Sequence, residues 1–242
     1  MVKVIYISII LLSCSFGVSA QSIDQCPEKL TSVFEKYHKL NLEIDNDEIY
    51  YVDYTVNALL RSEENGATDQ RIQSWMSKEQ QVVINDYVEV YSTSEYTASI
   101  MLKDKRVNIT SMSRGYAQQA KSQLAFSLID RLFEKYRVAS CILVSNNIYK
   151  ITLLPEPGGL NDFNVEKAEI MIDWQTEELK GFTAIMGEVG EIESMTLMIN
   201  ELNFDYQGTD PFIDFAKKYI SNGVLTGKYT GFSLIDNRPN KS

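Results

Sequence analysis

Between Ala168 and Tyr206 apolar and polar residues alternate so regularly that extended backbone is what sorts them onto two faces. Ala168, Ile170, Ile172 and Trp174 interleave with Glu169, Met171, Asp173 and Gln175. Gln175 to Glu178 interrupts the pattern, and Phe182, Ala184 and Met186 resume it, which predicts a β-hairpin. Met195, Leu197 and Ile199 are then apolar at odd positions, whereas Leu202, Phe204 and Tyr206 are apolar at even ones. A slip of one residue near Asn200 is what a β-bulge produces, and a bulge bends its strand. The segment reads as a bent antiparallel meander with one apolar face that a helix, a second sheet or a lipid must cover.

The same period runs through the first half of the chain. Tyr50, Val52, Tyr54, Val56, Ala58 and Leu60 alternate with Tyr51, Asp53, Thr55 and Asn57, so Ile49 to Leu60 predicts one strand about 40 Å long at ~3.4 Å per residue. Strands of that length belong to barrels or strongly curved sheets. Arg71 to Met76, Gln81 to Val90, Tyr96 to Leu102 and the pair Val107 and Ile109 predict further strands, as do Cys141 to Val144, Tyr149 to Leu153 and Tyr229 to Ile235. Helical spacing appears in three places. Leu30, Val33, Phe34 and Tyr37 share a narrow face of a helix from Pro27 to Leu40. A broader stripe that includes Leu124, Leu128 and Leu132 predicts a long helix from Tyr116 to Tyr136. Thr209-Asp210-Pro211 reads as the cap of a helix through Ser221, with Asn222-Gly223 as its stop signal.

The first residues have the anatomy of a secretory signal peptide: Lys3, the apolar run Val4 to Leu12, and Val18-Ser19-Ala20 as the cleavage site. Leu11-Leu12-Ser13-Cys14 offers the alternative of a lipobox, with Cys14 as an acylated first residue. After cleavage at Ala20, Cys26 and Cys141 are the two cysteines left in an oxidising compartment, where one disulfide can form but is not required. A net charge of −10, without a cluster of Lys or Arg, argues against nucleic acid as a partner.

Sites of reaction chemistry leave no trace in the sequence. The one histidine, His38, sits on the first helix with no nucleophile or carboxylate constellation around it, and zinc spacing and glycine-rich phosphate loops are missing. The chain reads as a non-enzyme without a cofactor or a metal. What stands out is aromatic content on predicted strands: Tyr50, Tyr51, Tyr54, Trp75, Tyr87, Tyr91, Tyr96 and Trp174 supply large rigid apolar walls.

Taken in order, several stretches carry a family resemblance. They are the cleavable leader, the N-terminal helix, the strand Ile49 to Leu60, Tyr149-Lys150-Ile151-Thr152-Leu153-Leu154-Pro155, Ile170-Met171-Ile172-Asp173-Trp174-Gln175-Thr176, and the bent strand Met195 to Phe204. Together they resemble the periplasmic outer-membrane lipoprotein carriers of the LolA and LolB type, over most of the mature chain and most strongly from Tyr149 to Tyr206. With the leader as a signal peptide over 1–20, the resemblance implies one LolA-like domain over 21–242. It implies an α+β fold, a curved antiparallel β-sheet forming an open half-barrel of about ten strands covered by two or three helices. The expected function is that of a monomeric periplasmic carrier, or one lipid-anchored through Cys14, which holds lipid or lipoprotein acyl chains in a hydrophobic cavity. Its walls are expected from Tyr50, Val52, Tyr54, Val56, Val88, Val90, Leu128, Leu132, Ile170, Ile172, Trp174, Met195, Leu197 and Ile199. Partners are then a lipid or an acylated protein, and a cell-envelope protein if cargo is handed on. The alternative is a structural or interaction subunit of a cell-envelope assembly built on the same fold.

Overall fold

A computed structural model describes residues 25–42, 44, 48–61, 68–111, 135–157 and 164–239. The leader over 1–20, Cys14 and the helix predicted from Tyr116 as far as residue 134 lie outside these residues. Helix α1 spans Gln25–Leu42. Eleven strands follow: β1 (Tyr50–Leu60), β2 (Thr68–Met76), β3 (Gln81–Ile84), β4 (Val88–Ser92), β5 (Tyr96–Met101), β6 (Arg106–Ser111), β7 (Tyr136–Ser145), β8 (Ile148–Pro155), β9 (Val165–Asp173), β10 (Glu178–Met186) and β11 (Ile192–Asn203). After them come helix α2 (Phe215–Tyr219), β12 (Ile220–Ser221), β13 (Val224–Leu225), a 3-10 turn at Gly227–Tyr229 and β14 (Ser233–Asp236).

Twelve strands form one sheet in the order β14-β6-β5-β4-β3-β2-β1-β11-β10-β9-β8-β7, and β12 pairs with β13 alone. This corrects the expected α+β half-barrel of about ten strands under two or three helices. The protein is mostly β, its sheet is mixed because β14 runs parallel to β6, and among the described residues the helices are α1 and the short α2. Local turn chemistry explains part of the difference. The Asn85 side chain accepts from the backbone N–H groups of Tyr87 and Val88, both at 2.8 Å, and so folds the single run Gln81 to Val90 into β3 and β4. Asn222 and Gly223 both have positive φ, 51° and 76°, as a two-residue hairpin loop demands. The helix predicted through Ser221 therefore stops at Tyr219, and the Asn-Gly pair turns the β12–β13 hairpin instead. The cap of that helix is Asp214, whose Oδ1 accepts from the Lys217 N–H at 3.0 Å, rather than the Thr209-Asp210-Pro211 signal. Tyr136, predicted as the last residue of a helix, opens β7, and its hydroxyl donates to the Val165 carbonyl at 2.6 Å.

The bulge near Asn200 forms. Asp53 pairs with Glu201 and Tyr54 with Ile199, which leaves Asn200 as the extra residue. Ladder pairs then sort side chains into two faces, named here for the adjacent residues Tyr54 and Asp53. On the Tyr54 face, Leu30, Val33 and Phe34 of α1 pack over Ile151, Leu153, Ile170, Ile172, Phe182 and Ala184. On the Asp53 face, Phe215, Leu225 and Tyr229 pack over Tyr91, Ala98, Ile100, Val107 and Ile109. The two main cores thus lie on opposite faces of opposite halves of one sheet. A disulfide joins Cys26 of α1 to Cys141 of β7, with the Cα atoms 6.4 Å apart, and Lys29 of α1 pairs with Glu177 in the β9–β10 turn.

Gly181 marks a close approach on the Asp53 face. A Cβ there would meet the Met171 Cε at 2.8 Å, the Leu197 carbonyl oxygen at 3.0 Å and the Met198 Sδ at 3.0 Å. The methionine ends can swing aside, but the carbonyl cannot move without disturbing the β10–β11 ladder. Gly181→Ala is expected to cost about 1–3 kcal/mol in urea unfolding, as overpacking does; an unchanged midpoint refutes the close fit.

Candidate functional site

The register gathers residues that are far apart in sequence onto the Tyr54 face. Val56 pairs with Leu197, Leu197 with Phe182, and Phe182 with Ile170, while Val52 leads through Ser74 and Val83 to Val90. Of the wall residues expected from sequence, Val52, Tyr54, Val56, Val88, Val90, Met195, Leu197 and Ile199 are half-buried on this face. Tyr50 is buried, its ring edge-on to Phe204 at 5.1 Å and packed with Ile44 and Met76. Ile170 and Ile172 are fully buried beneath α1, where they serve as core. Trp174 lies in the turn after β9, with its ring 4.4 Å from that of Tyr149 and the Lys29 Nζ 5.9 Å from its centroid. Leu128 and Leu132 fall outside the described residues.

Seven of these residues, Val52, Tyr54, Val56, Val88, Val90, Met195 and Leu197, belong to none of the three packed clusters of described residues. Full burial of such a side chain contributes ~1.5–3 kcal/mol, so each of them holds part of that gain in reserve for whatever covers it. Burial pushes the Tyr54 hydroxyl above its ordinary pKa. Sequence reasoning missed Ile72, Val83 and Met101, which the ladder adds to the same face. For Ile72 the signal was the alternation Gln70, Ile72, Ser74, Met76, obscured by the polar residues that share the face.

The titratable clusters lie on the opposite face. Asp53, 2% exposed, accepts from the Arg71 Nε at 3.0 Å to each oxygen, from Arg71 Nη2, from the Asn200 amide at 3.0 Å and from the Tyr51 hydroxyl at 3.4 Å. The Arg71 hydrogen bonds hold its carboxyl below the usual carboxylate value despite burial. Glu89 is bound by the Tyr229 hydroxyl at 2.6 Å, the Tyr91 hydroxyl at 2.9 Å and the Lys228 Nζ at 2.9 Å. Glu169 pairs with Lys167 at 2.7 Å and Lys150 at 3.6 Å. Asp53, Glu89 and Glu169 are all shifted downward, so each is an anion at neutral pH; donors reach both oxygens of Asp53 and of Glu89, and the two lysines reach Oε1 of Glu169. A general acid requires the opposite shift, and a general base requires a free lone pair. These carboxylates fasten strands: Asp53 ties β1 to β2 and β11, and Glu89 ties β4 to the C-terminal cover.

No protein-family model and no curated protein sequence matches the chain. Solved structures that resemble it include an uncharacterized conserved protein from Thermus thermophilus, at 8% identity over 88% of this chain and 99% of that one, with a TM-score of 0.42. MucB in complex with MucA gives 11% identity and a TM-score of 0.38 over 74% of this chain, which spans 57% of the MucB chain. A LolA superfamily protein from Nitrosomonas europaea gives 10% identity and a TM-score of 0.28 over 74% of this chain and 94% of that one.

Proposed function

We propose that this chain is a non-enzymatic carrier or binding protein of the cell envelope, sent to the periplasm by its leader, which holds the acyl chain of a lipid or of an acylated protein against the Tyr54 face. One observation carries this reading: Val52, Tyr54, Val56, Val88, Val90, Met195 and Leu197 share one face of the sheet and lie outside every packed cluster of described residues. Each methylene laid there contributes about 0.8 kcal/mol, so an acyl chain binds by area alone. The direct test is organic extraction and mass spectrometry of the purified mature protein, followed by titration with a fluorescent fatty acid. Val90→Asp puts a charge on the Tyr54 face and is expected to weaken uptake roughly tenfold or more. Met198→Asp makes the same change on the Asp53 face, where Met198 is 41% exposed, and is expected to leave uptake intact. Equal behaviour of the two variants refutes the assignment of the face.

One observation favours the interaction-subunit reading. Among the described residues strand β7 ends the sheet, and its Ile142, Leu143 and Val144 are exposed in succession at 48%, 47% and 46%. An apolar edge strand of this kind accepts an added strand from a partner. Absence of both co-purifying lipid and fatty-acid uptake decides for that reading.

A further inference from the structure

Arg106 opens β6, and the register makes it the single charged residue on the Tyr54 face of β1 to β6 among the described residues. Across the sheet it pairs with Met101, and Met101 with Val88. Its guanidinium is poorly matched. Nη2 donates to the Met101 sulfur at 3.5 Å, its carboxylate neighbour Asp104 Oδ2 is 3.8 Å away, and Nε is buried with no acceptor among the described residues. Asn108, the next residue on the same face, donates its side-chain amide to the same sulfur at 3.5 Å. A thioether is a weak acceptor, so two strong donor groups converge on a soft atom at the margin of the apolar stretch. Ser99, the ladder partner of Asn108, adds a hydroxyl beside them.

We infer that Arg106 and Asn108 bind the carboxylate of a long-chain fatty acid whose tail lies over Met101, Val88, Val90 and Val83. This rests on the acyl-binding reading given above and adds the head group to it. A carboxylate suits the site because the planar guanidinium fork takes two oxygens side by side, which a sulfur cannot imitate. The counter-charge already near the guanidinium is Asp104, 3.8 Å from Nη2 and largely exposed, so a single ligand carboxylate has only that long ion pair to displace, and in a chain of net charge −10 a second negative charge would go unmatched. Four inter-strand steps of ~4.8 Å carry the tail about 19 Å, from β6 to the level of Ile72 on β2.

The test is a titration of the full mature chain with hexadecanoic acid and with hexadecanol, which share a tail and differ in charge, at a pH where the acid is ionised. Wild type, Arg106→Gln, Arg106→Lys and Lys103→Gln are compared. Arg106→Gln is expected to weaken the acid roughly 10- to 100-fold and leave the alcohol unchanged, as loss of a charged hydrogen-bonding group does. Arg106→Lys, which keeps the charge but not the fork, falls between. Lys103→Gln removes an exposed charge from the neighbouring turn and leaves both affinities unchanged. If both ligands bind and Arg106→Gln changes neither, the head-group assignment fails while acyl binding stands. Equal loss of both ligands also overturns it, because Arg106 is then a packing residue. Failure of wild type to bind either one overturns both readings.

Discussion

Replacing both Cys26 and Cys141 by alanine is expected to lower stability by about 4–5 kcal/mol, the value for a cross-link that closes a loop of this length in the unfolded chain. The bridge spans 115 residues, and its two ends are positioned by different elements, Cys26 in the first turn of α1 and Cys141 within β7. Because Cys26 is 1% exposed, the change also leaves a small void under α1, which adds to the loss. For a domain of this size each kcal/mol corresponds to ~2–4 °C, so the melting temperature should fall by roughly 10–15 °C. Release of the cross-link expands the unfolded chain, so the urea m-value should rise along with the lower midpoint. A double variant that melts with wild type would show that the bridge does not restrain the unfolded ensemble.

The second large effect belongs to Glu89. Removing its carboxylate by Glu89→Ala leaves the buried Tyr91 and Tyr229 hydroxyls without that acceptor, while the half-exposed Lys228 ammonium turns to water, at a cost of about 3 kcal/mol. The lost contacts join β4 to the 3-10 turn, so the C-terminal cover should loosen first and the Asp53-face core with it. Burial alone would raise the Glu89 pKa, but donation from Tyr229, Lys228 and Tyr91 outweighs it and holds the folded value below the ordinary 4.5. The ionised form therefore favours the native state. Its contribution is complete above the unfolded value and disappears as pH falls through the folded one. Wild type should lose stability steeply below pH 4.5, whereas Glu89→Gln, weaker at neutral pH, should show a shallower decline. Parallel pH profiles for the two proteins would remove Glu89 from the acid response.

Much of the strand inventory was legible because alternation is a local property. The β9–β10 hairpin, the long β1 and the bulge at Asn200 each follow from which positions are apolar over a dozen residues. The errors came where a local signal has two meanings. Asn222-Gly223 serves equally as a helix stop and as a hairpin loop, and the choice fell to the pairing of Ile220 with Leu225. Asn85 reads as a strand residue until its side chain is seen accepting from the N–H groups of Tyr87 and Val88. The candidate site was half legible. Val52, Val56, Val90 and Leu197 could be placed on apolar faces, but alternation cannot say that Ile170 is covered by α1 while Val90 is not in a packed cluster.

The sequence by itself determined where most of the strands run and where the meander bends, because each of these depends on neighbours within one segment. Only the tertiary structure decided which faces are covered. The C-terminal segment crosses to the Asp53 face, and β14 joins β6 in parallel, through contacts more than a hundred residues apart. Asp53 meets Asn200 across 147 residues, and Arg106 comes to rest beside Met101 and Asn108 as the one charged residue among those described on the Tyr54 face of β1 to β6. Such meetings are set by strand order and register, which depend on the free energy of the whole packed sheet rather than on any stretch short enough to read alone.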